Sequence, residues 1–165
     1  MSPFGSKKDS PPIQVQVLTL DYLVEGTADF SGQNFIRFIY LTDVTMRSAS
    51  GSAAPAPRGT TWAVGETMRG VIGFIGRDEA GIEKVREWGN AGKDELAADI
   101  YTGPYRVRGT LLSPVGDDAK ALANLAPIVL RDAEVECLAP GSTLGSWQAP
   151  AILLYMTQVQ GIMLA

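Results

Sequence analysis

The chain has 165 residues and a mass of 17.6 kDa, room for one ordinary domain or two very small ones. Hydrophobic residues make up 45% and charged residues 19%, a globular balance, while 18 glycines and 10 prolines imply frequent turns and short helices. The net charge is −4, histidine is absent and Cys137 is the single cysteine, which excludes disulfide scaffolds, His-based triads, structural zinc sites and most metalloenzymes.

Residues 1–12 carry charge but no apolar core, so they read as a flexible tail and not as a secretory signal. No apolar run reaches the roughly 18 residues a membrane span needs. With one unpaired thiol, the expected location is cytoplasmic, with no membrane partner. A first unit is predicted over residues 13–76. Ile13-Gln14-Val15-Gln16-Val17 alternates strictly, as a half-buried strand does. Gly26 falls inside a strand pattern, where glycine marks a bend or bulge, and Asp29–Asn34 reads as a turn. An apolar strand near Phe35–Leu41, a Gly/Pro/Ser-rich loop (Ser48–Gly59) and an apolar stretch (Trp62–Ile75) complete the unit.

Residues 77–98 are a predicted helical linker. Asp78 caps a helix with apolar positions Ile82, Val85 and Trp88, Gly89 stops it, Gly81 weakens it, and Gly-rich coil runs on to Glu95. Most of the acidity of the chain lies in residues 76–99. A second unit follows over residues 99–165. Gly109 again interrupts a strand pattern, Asp117-Asp118 open a turn or helix before Ala119–Leu125, and Ala133-Glu134-Val135-Glu136-Cys137 alternates strictly.

The two units repeat each other. Tyr22-Leu23-Val24-Glu25-Gly26-Thr27 returns as Tyr105-Arg106-Val107-Arg108-Gly109-Thr110, an offset of 83. Ile39-Tyr40-Leu41-Thr42-Asp43-Val44 returns as Ile128-Val129-Leu130-Arg131-Asp132-Ala133 at an offset of 89, the difference being a six-residue insertion around Gly116–Leu122. Each unit then reads as about five short strands in ~65 residues, the size of a small barrel.

Val107-Arg108-Gly109-Thr110, followed by Ile128-Val129-Leu130-Arg131-Asp132-Ala133-Glu134, resembles the first Sm motif: a valine and glycine in a bent strand, then an apolar strand ending Leu-x-Asp-Ala. Val24–Thr27 with Tyr40–Val44 is a weaker instance. Met68-Arg69-Gly70-Val71-Ile72 resembles the Arg-Gly core of the second Sm motif, and Tyr155–Val159 occupies the matching place without it. The likeness is nearest to bacterial Sm-like domains of unknown function, here in tandem. It implies a mostly β fold of two Sm-like, SH3-like five-stranded barrels joined by a short helix. The RNA-reading residues of Sm proteins are not carried over. Pro127 and Phe38 stand where an asparagine reads uracil, Val71 follows Arg69-Gly70, and the second copy lacks the Arg-Gly pair.

Other candidate chemistry is sparse. Asp132, Glu134 and Glu136 share one side of a strand; that spacing suits a hard cation, and equally a solvated face opposite Ala133, Val135 and Cys137, which is the preferred reading. Asp43 and Asp132 are expected to hold a loop through backbone hydrogen bonds. Cys137, with no histidine base, reads as an inert inward thiol. Gly70–Gly76 has spaced glycines but no phosphate-loop lysine. Phe38, Trp62, Arg69 and Trp147 are the residues that would face a ligand or RNA, although Trp62 and Trp147 are better read as packing at barrel ends. No catalytic residue, metal or cofactor is expected. The preferred function is a non-enzymatic module forming homo-oligomers through strand edges; RNA or small-ligand binding through the aromatic loops is the alternative, and the acidic balance with no basic stripe argues against nucleic acid. If the linker lets the units pair side by side, two unlike edges remain.

Overall fold

Period-two patterning dominates the chain, and strands dominate the structure. The computed structural model describes residues 12–28, 39–50, 62–64, 70–124 and 127–165. In chain order these form β1 (Ile13–Thr19), β2 (Tyr22–Ala28), β3 (Ile39–Ser48), β4 (Trp62–Val64) and β5 (Val71–Gly76), then helix α1 (Glu79–Trp88). There follow β6 (Asp94–Thr102), β7 (Tyr105–Ser113), the short helix α2 (Ala119–Ala123), β8 (Ile128–Cys137), β9 (Ser146–Leu154), a 3-10 turn at Met156–Gln158 and β10 (Val159–Leu164). The expected turn at Asp29–Asn34 lies outside the described residues.

The strands make one continuous antiparallel sheet in the order β10-β6-β7-β8-β9-β5-β1-β2-β3-β4. The sheet is not closed: among the described residues, β10 and β4 do not pair with each other. The first five strands run β5-β1-β2-β3-β4 and the last five β10-β6-β7-β8-β9, the same order twice. β6 begins at Asp94, so the coil expected as far as Glu95 is shorter and the second set of strands starts before residue 99.

Helix α1 has the ends its sequence announces. Asp78 accepts a hydrogen bond from the Gly81 N–H at 2.7 Å, and the Gly89 N–H returns to the Val85 carbonyl at 3.1 Å. Val85 is buried, and the helix packs on β1, β5 and β9. Asp118 caps α2 through Lys120 and Ala121. β1 departs from expectation. It lies inside the sheet with both faces covered, every residue buried except Gln14; the Gln16 Nε2 donates to Glu25 at 2.7 Å, while its Oε1 is buried without a partner.

Both β2–β3 and β7–β8 slip by one residue at the glycine. The register shifts between Glu25 and Thr27, and again between Arg108 and Thr110. The extra residue on the partner strand adopts the left-handed conformation: Asp43 at φ 53° and Asp132 at φ 49°. The loop role expected for these two acids is therefore wrong. They sit in mid-strand, where a short polar side chain tolerates left-handed backbone better than most. Across the bulge, a Cβ on Gly109 would lie 2.9 Å from Cα and Cβ of Ala133, and one on Gly26 would lie 3.1 Å from Leu41 Cβ. Gly109→Ala should lower stability by about 1–3 kcal/mol, the range of ordinary destabilising substitutions, and Gly26→Ala by less, in urea unfolding. Equal or absent effects would show that the bulges tolerate a side chain.

Candidate functional site

A strand edge is a row of unpaired N–H and C=O groups that attracts another strand. Two such edges meet in the middle of this sheet. Gly73, Phe74, Ile75 and Gly76 of β5 lie opposite Leu154, Leu153, Ile152 and Ala151 of β9, and the Tyr155 N–H adds a hydrogen bond to the Ile72 carbonyl at 2.9 Å. All six residues of β5 are buried. Gly73 is obligatory there, because a Cβ would fall on the Leu153 carbonyl.

Side chains cross this joint in both directions. Leu18, Leu23, Ala49, Ile72 and Ile75 belong to the same buried cluster as Tyr105, Val107, Leu130 and Leu154. Leu112, Val129, Ala151 and Leu153 belong to the cluster built on Val15, Val17, Leu41 and Phe74, with Val85 of α1 as a lid. Phe74 meets Trp88 and Tyr155 edge to face, at 6.0 and 5.9 Å between ring centroids. The Tyr105 hydroxyl donates to the Tyr22 carbonyl and the Cys137 thiol to the Ala49 carbonyl, each at 3.5 Å. Burial, with Cys137 and Asp21 adding to it, pushes the Tyr105 phenol far above its ordinary pKa, so it keeps its proton. Cys137 is half-buried.

The two outer edges belong to unlike strands, β4 and β10. Of the residues singled out for ligand or RNA contact, Phe38 and Arg69 lie outside the described residues. Trp62 lies on β4, described for its backbone alone. Trp147 lies on β9, half-buried and edge-on to Tyr105 at 6.3 Å, with its indole N–H buried and unpaired. Four strands separate β4 from β9 in the sheet.

Several charged side chains pair with one another, mostly across strands. Arg47 meets Glu25 at 3.3 Å, Arg108 meets Glu134 at 3.8 Å, and Arg131 meets Glu95 at 2.8 Å and Asp132 at 2.6 Å. Arg77 donates to the Gln148 carbonyl at 2.9 Å. Asp132, Glu134 and Glu136 do share a side of β8, but each of the first two turns to an arginine; among the described residues no three acids or thiols gather as a metal site. Among the same residues no helix is long and apolar enough to cross a membrane. The strongest pair is Asp99 with Arg106, whose Nε donates at 2.9 Å while its guanidinium lies 5.5 Å from the Tyr101 ring. Hydrogen bonds from Arg106 hold Asp99 below the ordinary carboxylate pKa, opposed by desolvation and helped by the charges of Arg106 and Arg108.

Comparison with family models, curated proteins and solved structures finds no match to this chain. Side-by-side pairing of the two units was anticipated, but the strands that make it were not, although β5 carried the signal: an unbroken apolar run with a glycine inside implies a strand covered on both faces and closely approached.

Because the Asp99 pKa is depressed in the fold, its pairing stabilises fully above about pH 4 and the contribution drains away as pH falls. Asp99→Asn should lower Tm modestly at neutral pH, and the gap to the unaltered protein should narrow as pH falls below the ordinary carboxylate range and through the depressed Asp99 pKa. A gap independent of pH would assign the loss to packing instead of charge.

Proposed function

We propose that the chain is a tandem pair of Sm-like open barrels acting as a non-enzymatic module that associates head to tail. Support for the duplication comes from the repeated strand order, the paired bulges at Gly26/Asp43 and Gly109/Asp132, and a repeated register. Val71 pairs with Thr19 and Gly73 with Leu18, skipping Ile72; Val159 pairs with Thr102 and Gly161 with Tyr101, skipping Gln160.

The observation that carries the function is the asymmetry of the sheet ends. The β5–β9 joint uses one edge of each half, leaving β4 at one end and β10 at the other. Unlike edges on one molecule make heterologous contacts, which close into a ring or continue as a filament. The arginines argue against the RNA alternative: Arg47, Arg77, Arg106, Arg108 and Arg131 are all engaged within the chain instead of waiting for phosphate.

Light scattering after size exclusion at about 10 μM, where a standard-size interface holds, should give a mass that is a multiple of 17.6 kDa. A 17.6 kDa species alone would refute self-association. A uridine-rich oligonucleotide should show no polarisation change into the tens of micromolar, roughly the nonspecific range; salt-sensitive submicromolar binding would favour RNA.

A further inference from the structure

We infer that Gly161 admits strand β4 of a second copy onto β10, in the register of the internal β5–β9 joint; this rests on the self-association proposed above and specifies its contact. β10 repeats β5 residue by residue against the neighbouring strand. Ile162, Met163 and Leu164 pair with Ile100, Asp99 and Ala98 as Phe74, Ile75 and Gly76 pair with Val17, Gln16 and Val15. β4 repeats the end of β9 in the same way. Val64, Ala63 and Trp62 pair with Ile39, Tyr40 and Leu41 as Leu154, Leu153 and Ile152 pair with Ile128, Val129 and Leu130. Carrying the β5–β9 register onto the free edges sets Gly161 opposite Val64 of the second copy, Ile162 opposite Ala63 and Met163 opposite Trp62.

Two independent observations fit this occupant. The first is the glycine. At Gly73 a Cβ would strike the Leu153 carbonyl of the adjoining strand, whereas a Cβ on Gly161 would meet nothing within 4 Å in the single chain. Glycine inside a strand weakens it, so Gly161 has a cost that one molecule does not explain and a second backbone at the edge does. The second is exposure. Met163 is 53% exposed, Leu138 47% and Tyr40 46%, three of the five large hydrophobic side chains left open among the described residues. Their counterparts at the internal joint are Ile75 at 0%, Ala49 at 1% and Val129 at 1%. Met163 and Leu138 lie on the β10 side and Tyr40 beside β4, as a head-to-tail contact requires.

The test is Gly161→Val beside Gly73→Ala, each measured by thermal unfolding and by sedimentation over a dilution series. Gly161→Val should keep the Tm of the single chain, since its side chain has open space, while weakening association by about tenfold or more. Gly73→Ala should lower Tm outright. If the unaltered protein is a monomer throughout, the self-association reading itself fails. If it assembles and Gly161→Val assembles equally well, association stands but uses another surface, and this inference is overturned. A Tm loss in Gly161→Val as large as in Gly73→Ala would also overturn it, because the glycine would then serve the fold of one chain.

Discussion

Everything in this molecule leans on the antiparallel contact between β5 and β9. It is short, four residue pairs, yet it lets two sets of five strands share their apolar interiors. Ile72 and Ile75 fill the cluster around Tyr105, while Val129 and Leu153 fill the cluster around Phe74. Neither set buries its own apolar surface completely. A chain of this size has little surface to waste, since small domains bury a smaller fraction of what unfolding exposes. The contact also dictates composition: a glycine at position 73 where the two backbones crowd, and an unbroken buried run on either side of it.

The same geometry explains why the sheet ends are unequal. Joining β5 to β9 leaves a three-residue strand, β4, at one end and β10 at the other. The free ends differ chemically from the internal joint. Gln160 holds the place of Ile72, and Arg106, paired with Asp99, holds the place of Leu23. Covering a charged pair costs desolvation that covering leucine does not. The proposed contact between copies would accordingly be weaker than the contact between halves, and dilution should open the first while the second persists.

Much of this fold was legible in the sequence. Alternation located β1 and β8, an aspartate and a glycine bracketed α1, and Asp118 marked the start of α2. What local pattern does not carry is what covers a strand. Gln16 looked solvent-facing because alternation counts polarity, and its burial depends on Glu25 reaching it from the next strand. Asp43 and Asp132 looked like loop anchors because the left-handed bulge exists only when Gly26 and Gly109 lie opposite. The spaced glycines of Gly70–Gly76 were weighed only against phosphate binding, although their buried apolar setting pointed to backbone approach. Of the candidate site residues, Trp147 is the one whose surroundings are described, and its ring leans on Tyr105.

Hydrogen–deuterium exchange read at peptide level over a range of protein concentrations separates the two kinds of contact in one experiment. Peptides from β5 and β9 should stay protected at every concentration, while β10 and β4 peptides should gain protection only as concentration rises. Rapid, concentration-independent exchange in β5 and β9, matching that of the outer edges, would mean that the two strands do not form a buried joint.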